Sequence, residues 1–135
     1  MVLKRFALNK LVRDGVVESQ YCKGATEVIV RPLDLEEYKL ALQEKIREEA
    51  QEVFDARTRD ELVEECADLL EVVEALLSTV GKTLEDAQSA QKAKRAKMGG
   101  FVTRSFVTSV VAPADSLLGV YCLERPGKYP ELSLE

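Results

Sequence analysis

The sequence predicts an all-α fold: an antiparallel helical bundle core with short extended segments at its N-terminal and C-terminal sides. Three observations predict it. Hydrophobic residues make up 46% of the chain but aromatics only 6%, and Trp is absent, so the core must be aliphatic. Apolar residues in the middle of the chain recur at the spacing of a helix face. Capping-box patterns stand where two of these periodic stretches begin.

Taken in order, Met1–Arg13 mixes polar and apolar residues, and Phe6–Val12 reads as a short strand or helix. Asp14-Gly15 signals a turn. Thr26–Val30 favours β structure and predicts a short strand ending before Pro32. Asp34, with Glu37 three residues later, opens a helix that runs to about Ala56. Thr58 with Glu61 opens a second, which reaches Gly81. Thr83 caps a third, with Glu85 and Asp86 in its first turn and Lys92, Lys94, Arg95 and Lys97 in its last turns, as the helix dipole favours. Gly99-Gly100 ends it. Phe101–Val111 reads as a strand or extended arm, and Pro113–Glu135 as a mostly irregular tail packed on a partner subunit. Residues 1–111 are therefore expected to form the functional domain and 112–135 a C-terminal extension.

With 135 residues the chain has the size of one domain. Its 24 acidic and 19 basic residues give a net charge of −5, with no global attraction to a nucleic acid polymer or an anionic membrane. No stretch reaches the roughly 18 apolar residues of a membrane span. No histidine is present, which excludes Ser-His-Asp and Cys-His catalysis and His-ligated zinc. Cys22, Cys66 and Cys122 have neither disulfide-framework nor zinc spacing, and point to a reducing cytoplasm. Cys66, in a helical apolar stripe, reads as a small core residue.

The acids cluster between Glu36 and Glu74. With about 100° per residue, an apolar face of the first helix centred on Ile46 takes in Leu42, Ala50 and Val53. Glu49 falls on its rim, and Glu52 lies on the same side. A face of the second helix centred on Leu69 takes in Leu62, Val73, Leu76 and Val80, with Glu65 inside it and Asp68 beside it. Packing the two faces together gathers four carboxylates. Like charges in a partly buried place are costly, and a hard divalent cation relieves the cost. All-oxygen ligation suits Mg²⁺ or Mn²⁺. Against this stands the ordinary reading of Glu pairs at i and i+3 as solvated faces or ion pairs.

Glu48-Glu49-Ala50-Gln51-Glu52, followed after twelve residues by Glu65-Cys66-Ala67-Asp68, resembles the EExxE…ExxD signature of the MazG-like all-α NTP pyrophosphohydrolase superfamily. Asn9-Lys10-Leu11-Val12-Arg13-Asp14 and Met98-Gly99-Gly100-Phe101 are similar to the NKLVRD opening and RGGF segment of its house-cleaning branch. The resemblance covers about residues 8–107. It implies metal-dependent hydrolysis of a nucleoside triphosphate, here a noncanonical one, to a monophosphate and pyrophosphate. Glu49, Glu52, Glu65 and Asp68 would hold the metal. Glu48, with Glu49, would serve catalysis by orienting a water or completing a second metal site; as a residue facing away from its helix's apolar stripe, Glu48 also reads as a solvated acid. Lys10, Arg13, Lys94, Arg95 and Lys97 are the candidates for phosphate binding, the last three also explained by the helix dipole. Gly15 and Met98 depart from the branch, which has Lys and Arg there.

Two other functions fit. Glu48–Val53, Ala67–Leu70 and Thr83–Asp86 also look like phosphoribosyl-ATP pyrophosphohydrolase, a relative in histidine biosynthesis. A non-catalytic helical interaction module would use the acids for solubility or a basic partner. Three helices are too few to enclose a cleft on both faces, so a homodimer or homotetramer is expected to complete the bundle.

Overall fold

The computed structural model describes residues 1–135. All of its regular secondary structure is helical: α1 (Val16–Cys22), α2 (Leu35–Asp55), α3 (Arg59–Ser78), α4 (Leu84–Met98) and α5 (Leu117–Leu123). The chain divides into two compact units, Met1–Lys97 and Met98–Glu135.

In the first unit, α2 starts where the sequence places it. The Asp34 carboxylate accepts from the Glu37 N–H at 2.9 Å, and the Glu37 carboxylate accepts from the Asp34 N–H at 3.1 Å. The Thr58 hydroxyl accepts from the Glu61 N–H at the start of α3, and Thr83 and Asp86 exchange the equivalent bonds before α4. These bonds satisfy donors that a helix start otherwise leaves free. α3 ends at Ser78, earlier than Gly81, because its last carbonyls are closed by turns through Thr79 and Val80. Gly81 takes the reversing conformation at φ +71°.

Only Ala56–Thr58 separates α2 from α3, so the two pack as an antiparallel hairpin. Its register is symmetric about Arg57. Leu42 and Val72 lie equally far from that residue, as do Glu49 and Glu65. Leu42 and Val72 are the buried apolar residues of the unit, and Glu49 is buried with them at 7% exposure. The buried face of α2 thus centres on Leu42 and Glu49, which stack two turns apart, while Ile46 is only half-buried. On α3, Val72 replaces Leu69 as the centre. Ala50, Leu62, Val80 and Cys66, expected on the inner faces, are exposed. Both helices are turned about 40–60° from the expected orientation, toward their acids.

α1 was not signalled by the sequence. Its first residues follow Gly15, which offers no side-chain cap. Phe6–Val12 and Thr26–Val30 form neither strand nor helix, and no β-ladder forms anywhere in the chain. A β-favouring segment becomes a strand only when another strand takes its backbone hydrogen bonds.

In the second unit, Phe101–Val111 forms no strand: a turn opens it and the rest carries no regular secondary structure. The tail, expected to be mostly irregular, instead contains α5. The Ser116 hydroxyl donates to the Pro113 carbonyl at 2.7 Å and accepts from the Gly119 N–H at 3.0 Å. Gly119 is the buried residue of the unit. The Arg125 guanidinium lies 3.9 Å from the centre of the Tyr121 ring, and the Tyr121 and Tyr129 rings are 5.8 Å apart. A Cβ at position 119 would overlap the Pro113 carbonyl oxygen, which is backbone and cannot swing aside. Gly119→Ala is therefore expected to unseat α5, with loss of the near-ultraviolet circular dichroism of Tyr121 and Tyr129 and little change in total helix content.

Candidate metal centre

The antiparallel register brings the acids of α2 and α3 together. Glu49, Glu65 and Asp68 each offer one carboxylate oxygen, and these three oxygens lie within 4.8 Å of one another. Glu52, the fourth acid expected, is outside that group but lies against Glu65. The Glu65 carboxyl is pushed above its ordinary 4.5, first by the Glu52 carboxyl with which it can share a proton, then by burial and the charges of Glu52, Asp68 and Glu49. One oxygen of Glu65, Oε2, is buried and accepts no hydrogen bond. A buried carboxylate oxygen without a donor is a costly arrangement for the chain alone. Three convergent carboxylates and an orphaned acceptor fit a hard divalent cation, Mg²⁺ or Mn²⁺.

Glu48 turns away from this group. Its Oε1 accepts from the Lys10 ammonium at 3.1 Å and its Oε2 from the Lys45 ammonium at 3.2 Å. Burial alone would raise the Glu48 carboxyl, but the two ammonium groups outweigh it and hold it below 4.5. Lys45 also lies 3.2 Å from Glu49 Oε1. Burial disfavours its charge, yet the two carboxylates hold its pKa above 10.5, so it stays an ammonium.

The segment Asn9–Arg13 crosses both helices beside these acids. Asn9 has φ +48°, a left-handed conformation that Asn tolerates better than most side chains. Beyond that bend Lys10 reaches Glu48 on α2, and Arg13 reaches Asp68 on α3 at 2.6 Å. A cleft of about 2110 Å³ between the N-terminal segments and α2 has Lys10, Lys45 and Glu48 on its wall. Lys94, Arg95 and Lys97 are exposed on α4 and pair with none of these acids. Sequence reasoning missed Lys45, although its spacing of three and four residues from Glu48 and Glu49 was a signal.

A family model described as phosphoribosyl-ATP pyrophosphohydrolase matches residues 27–94, which span the whole α2–α3 hairpin and most of α4. The chain belongs to this family. The phosphoribosyl-ATP pyrophosphohydrolase family is part of the MazG-like all-α NTP pyrophosphohydrolase superfamily, so the all-helical fold and a pyrophosphohydrolase activity on a nucleotide go together here. No curated protein and no solved structure matches the chain. No helix of this family member is long and apolar enough to cross a membrane.

A raised folded-state pKa means that folding favours protonated Glu65. Its contribution to stability is complete below 4.5 and is lost as the pH rises through the higher folded value. In chelator, Glu65→Gln should therefore melt at a higher temperature than wild type at pH 7, with the gap closing toward pH 4. Added Mg²⁺ should raise the wild-type midpoint and leave the variant's nearly unmoved. A variant less stable than wild type at pH 7 in chelator would remove the electrostatic account of this site.

Proposed function

We propose that the chain hydrolyses a nucleoside triphosphate, a noncanonical one, to the monophosphate and pyrophosphate. The observation that carries this reading is the placement of Lys10 and Arg13 directly on the acids of the two helices, beside three convergent carboxylates and an orphaned Glu65 oxygen. When bound, Mg²⁺ or Mn²⁺ held by Glu49, Glu65 and Asp68, with Glu52 beside them, supplies charge that grips phosphate and lowers the pKa of a water.

The chain's own residues do the rest. Lys10 and Arg13 are about half exposed, and ion pairs of that kind contribute only about 0–1 kcal/mol. They can leave Glu48 and Asp68 for phosphate oxygens at little cost, bringing positive charge where negative charge develops. Glu48, on the wall of the cleft, would orient the attacking water. The cleft exceeds the roughly 300–1,000 Å³ of a small-ligand pocket, so it has room for a protein segment beside the nucleotide. A second copy of the chain is the proposed source of that segment. Lys94, Arg95 and Lys97 would reach phosphate only in such an assembly. Three free cysteines are in keeping with a cytoplasmic setting.

Phosphoribosyl-ATP is the second substrate reading, favoured by the family model itself. Pyrophosphate release from a panel of canonical, deoxy and damaged triphosphates and phosphoribosyl-ATP, with and without Mg²⁺, separates the two. Metal-dependent release from one triphosphate supports the first reading, and release from phosphoribosyl-ATP alone supports the second. With no release and no metal binding, a helical interaction module remains. In the reactive case, Glu49→Gln and Asp68→Asn should each lower turnover by about 10²-fold or more while helix content survives. Arg13→Met should raise KM about ten-fold or more with a smaller effect on kcat, one charge-assisted phosphate contact being lost.

A further inference from the structure

The Lys45 side chain is 15% exposed, and its ammonium lies 3.2 Å from both Glu48 and Glu49. We infer that Lys45 is a positioning residue for the proposed hydrolysis, holding Glu48 out of the metal-ligand group while leaving Glu49 within it. The inference rests on the metal-dependent reading of the site.

Helix support accounts for only a small part of this lysine's placement. Glu48 and Glu49 both follow Lys45 in the chain, the less favourable order for a pair four residues apart. Withdrawing most of this side chain from water also costs its ammonium some solvation that an ordinary surface pair would keep. What the placement does achieve is a difference between neighbouring carboxylates. Both oxygens of Glu48 are engaged, Oε1 by Lys10 and Oε2 by Lys45, so the group is anchored from two sides. The ion pair of Glu49 uses Oε1 alone, and a Glu49 oxygen lies within 4.8 Å of those of Glu65 and Asp68.

Without Lys45, Glu48 keeps a single anchor, the half-exposed Lys10. It would then be free to swing toward the ion as an additional ligand. Glu49 would lose its only cation. An additional free carboxylate does not weaken binding of a divalent ion, but it rearranges the ligands. A displacement on the order of 1 Å in such a site is enough to cost about 10²-fold in rate.

The test compares wild type, Lys45→Met, Lys45→Arg, Glu48→Gln and the Lys45→Met/Glu48→Gln double variant. Mn²⁺ binding is followed by calorimetry, and pyrophosphate release is measured on the nucleotide that wild type turns over. Lys45→Met should bind Mn²⁺ as tightly as wild type or more tightly, yet lose about ten-fold or more in kcat with a smaller change in KM. Lys45→Arg should recover part of the loss. In the Glu48→Gln background the lysine substitution should cost much less, because the group it positions is already gone. A kcat within about two-fold of wild type, loss of Mn²⁺ binding, or losses that simply multiply in the double variant would each overturn the inference. Should Lys45→Met lose its helical signal, Lys45→Gln takes its place in the same comparison. A wild-type protein that neither binds Mn²⁺ nor releases pyrophosphate would defeat the metal-dependent reading itself, an outcome distinct from a lysine variant that matches an active wild type.

Discussion

The first unit is organised around carboxylates of like charge held at the contact of α2 and α3. The antiparallel register places Glu49 opposite Glu65 as surely as it places Leu42 opposite Val72, because each pair is symmetric about the same connecting residue. The chain cannot bury its apolar pair without also bringing its acids together. Five carboxylates (Glu48, Glu49, Glu52, Glu65 and Asp68) stand against three cations, Lys10, Arg13 and Lys45. The excess is two negative charges, the charge that one divalent ion balances. The raised pKa of Glu65 is the relief available to the chain by itself: a proton takes up part of what a metal would take up. A bound metal would compete with the proton for the same carboxyl, and would thereby couple the stability of the hairpin to the occupancy of the site.

Much of this was legible in the sequence because it is local. A cap needs an oxygen three residues before an N–H, and Asp34, Thr58 and Thr83 meet that need within one turn. The pairing of Glu49 with Glu65 and Asp68 was legible because helical spacing and a short connection leave little freedom. The exact facing was not. Ile46 and Leu69 make more apolar centres for a face than Glu49 and Glu65, and helical spacing alone does not reveal that Lys45 and the crossing Asn9–Arg13 segment bring cations to Glu48, Glu49 and Asp68. α1 escaped notice for want of a side-chain cap, and α5 because Ser116 is followed three residues on by Gly119 rather than by an acid. Residues 26–30 have the composition of a strand, but composition does not supply a partner.

The cations of the site differ in kind. Lys10 and Arg13 arrive from a distant segment, are half exposed and make pairs of little net value. Lys45 arrives from the same helix as its acids and is largely buried. A pair of small net value can be exchanged for another at low cost, and a buried one cannot. On the proposed reading, the first kind would trade a carboxylate for a phosphate during each cycle. The second suits a group that must not move at all. The bend at Asn9 matters for the same reason, since it delivers both exchangeable cations from one short segment.

Two buried apolar residues are a small core for a unit of this length, since ordering its backbone costs far more than their burial returns. Six large apolar residues are left exposed on the hairpin: Leu35, Leu40 and Phe54 on α2 and Leu62, Val63 and Leu70 on α3. Leu40 and Phe54 on α2 lie about 120–160° from Leu42, and Val63 and Leu70 on α3 lie about 160–180° from Val72. Leu40, Phe54, Val63 and Leu70 thus point away from Leu42 and Val72, and Leu40 also lines the cleft with Lys45 and Glu48. A second copy whose segment enters that cleft, as proposed, would cover Leu40 and enlarge this core. On that arrangement the charged inner contact would gather the metal and phosphate, and exposed apolar side chains beside it would meet the second copy.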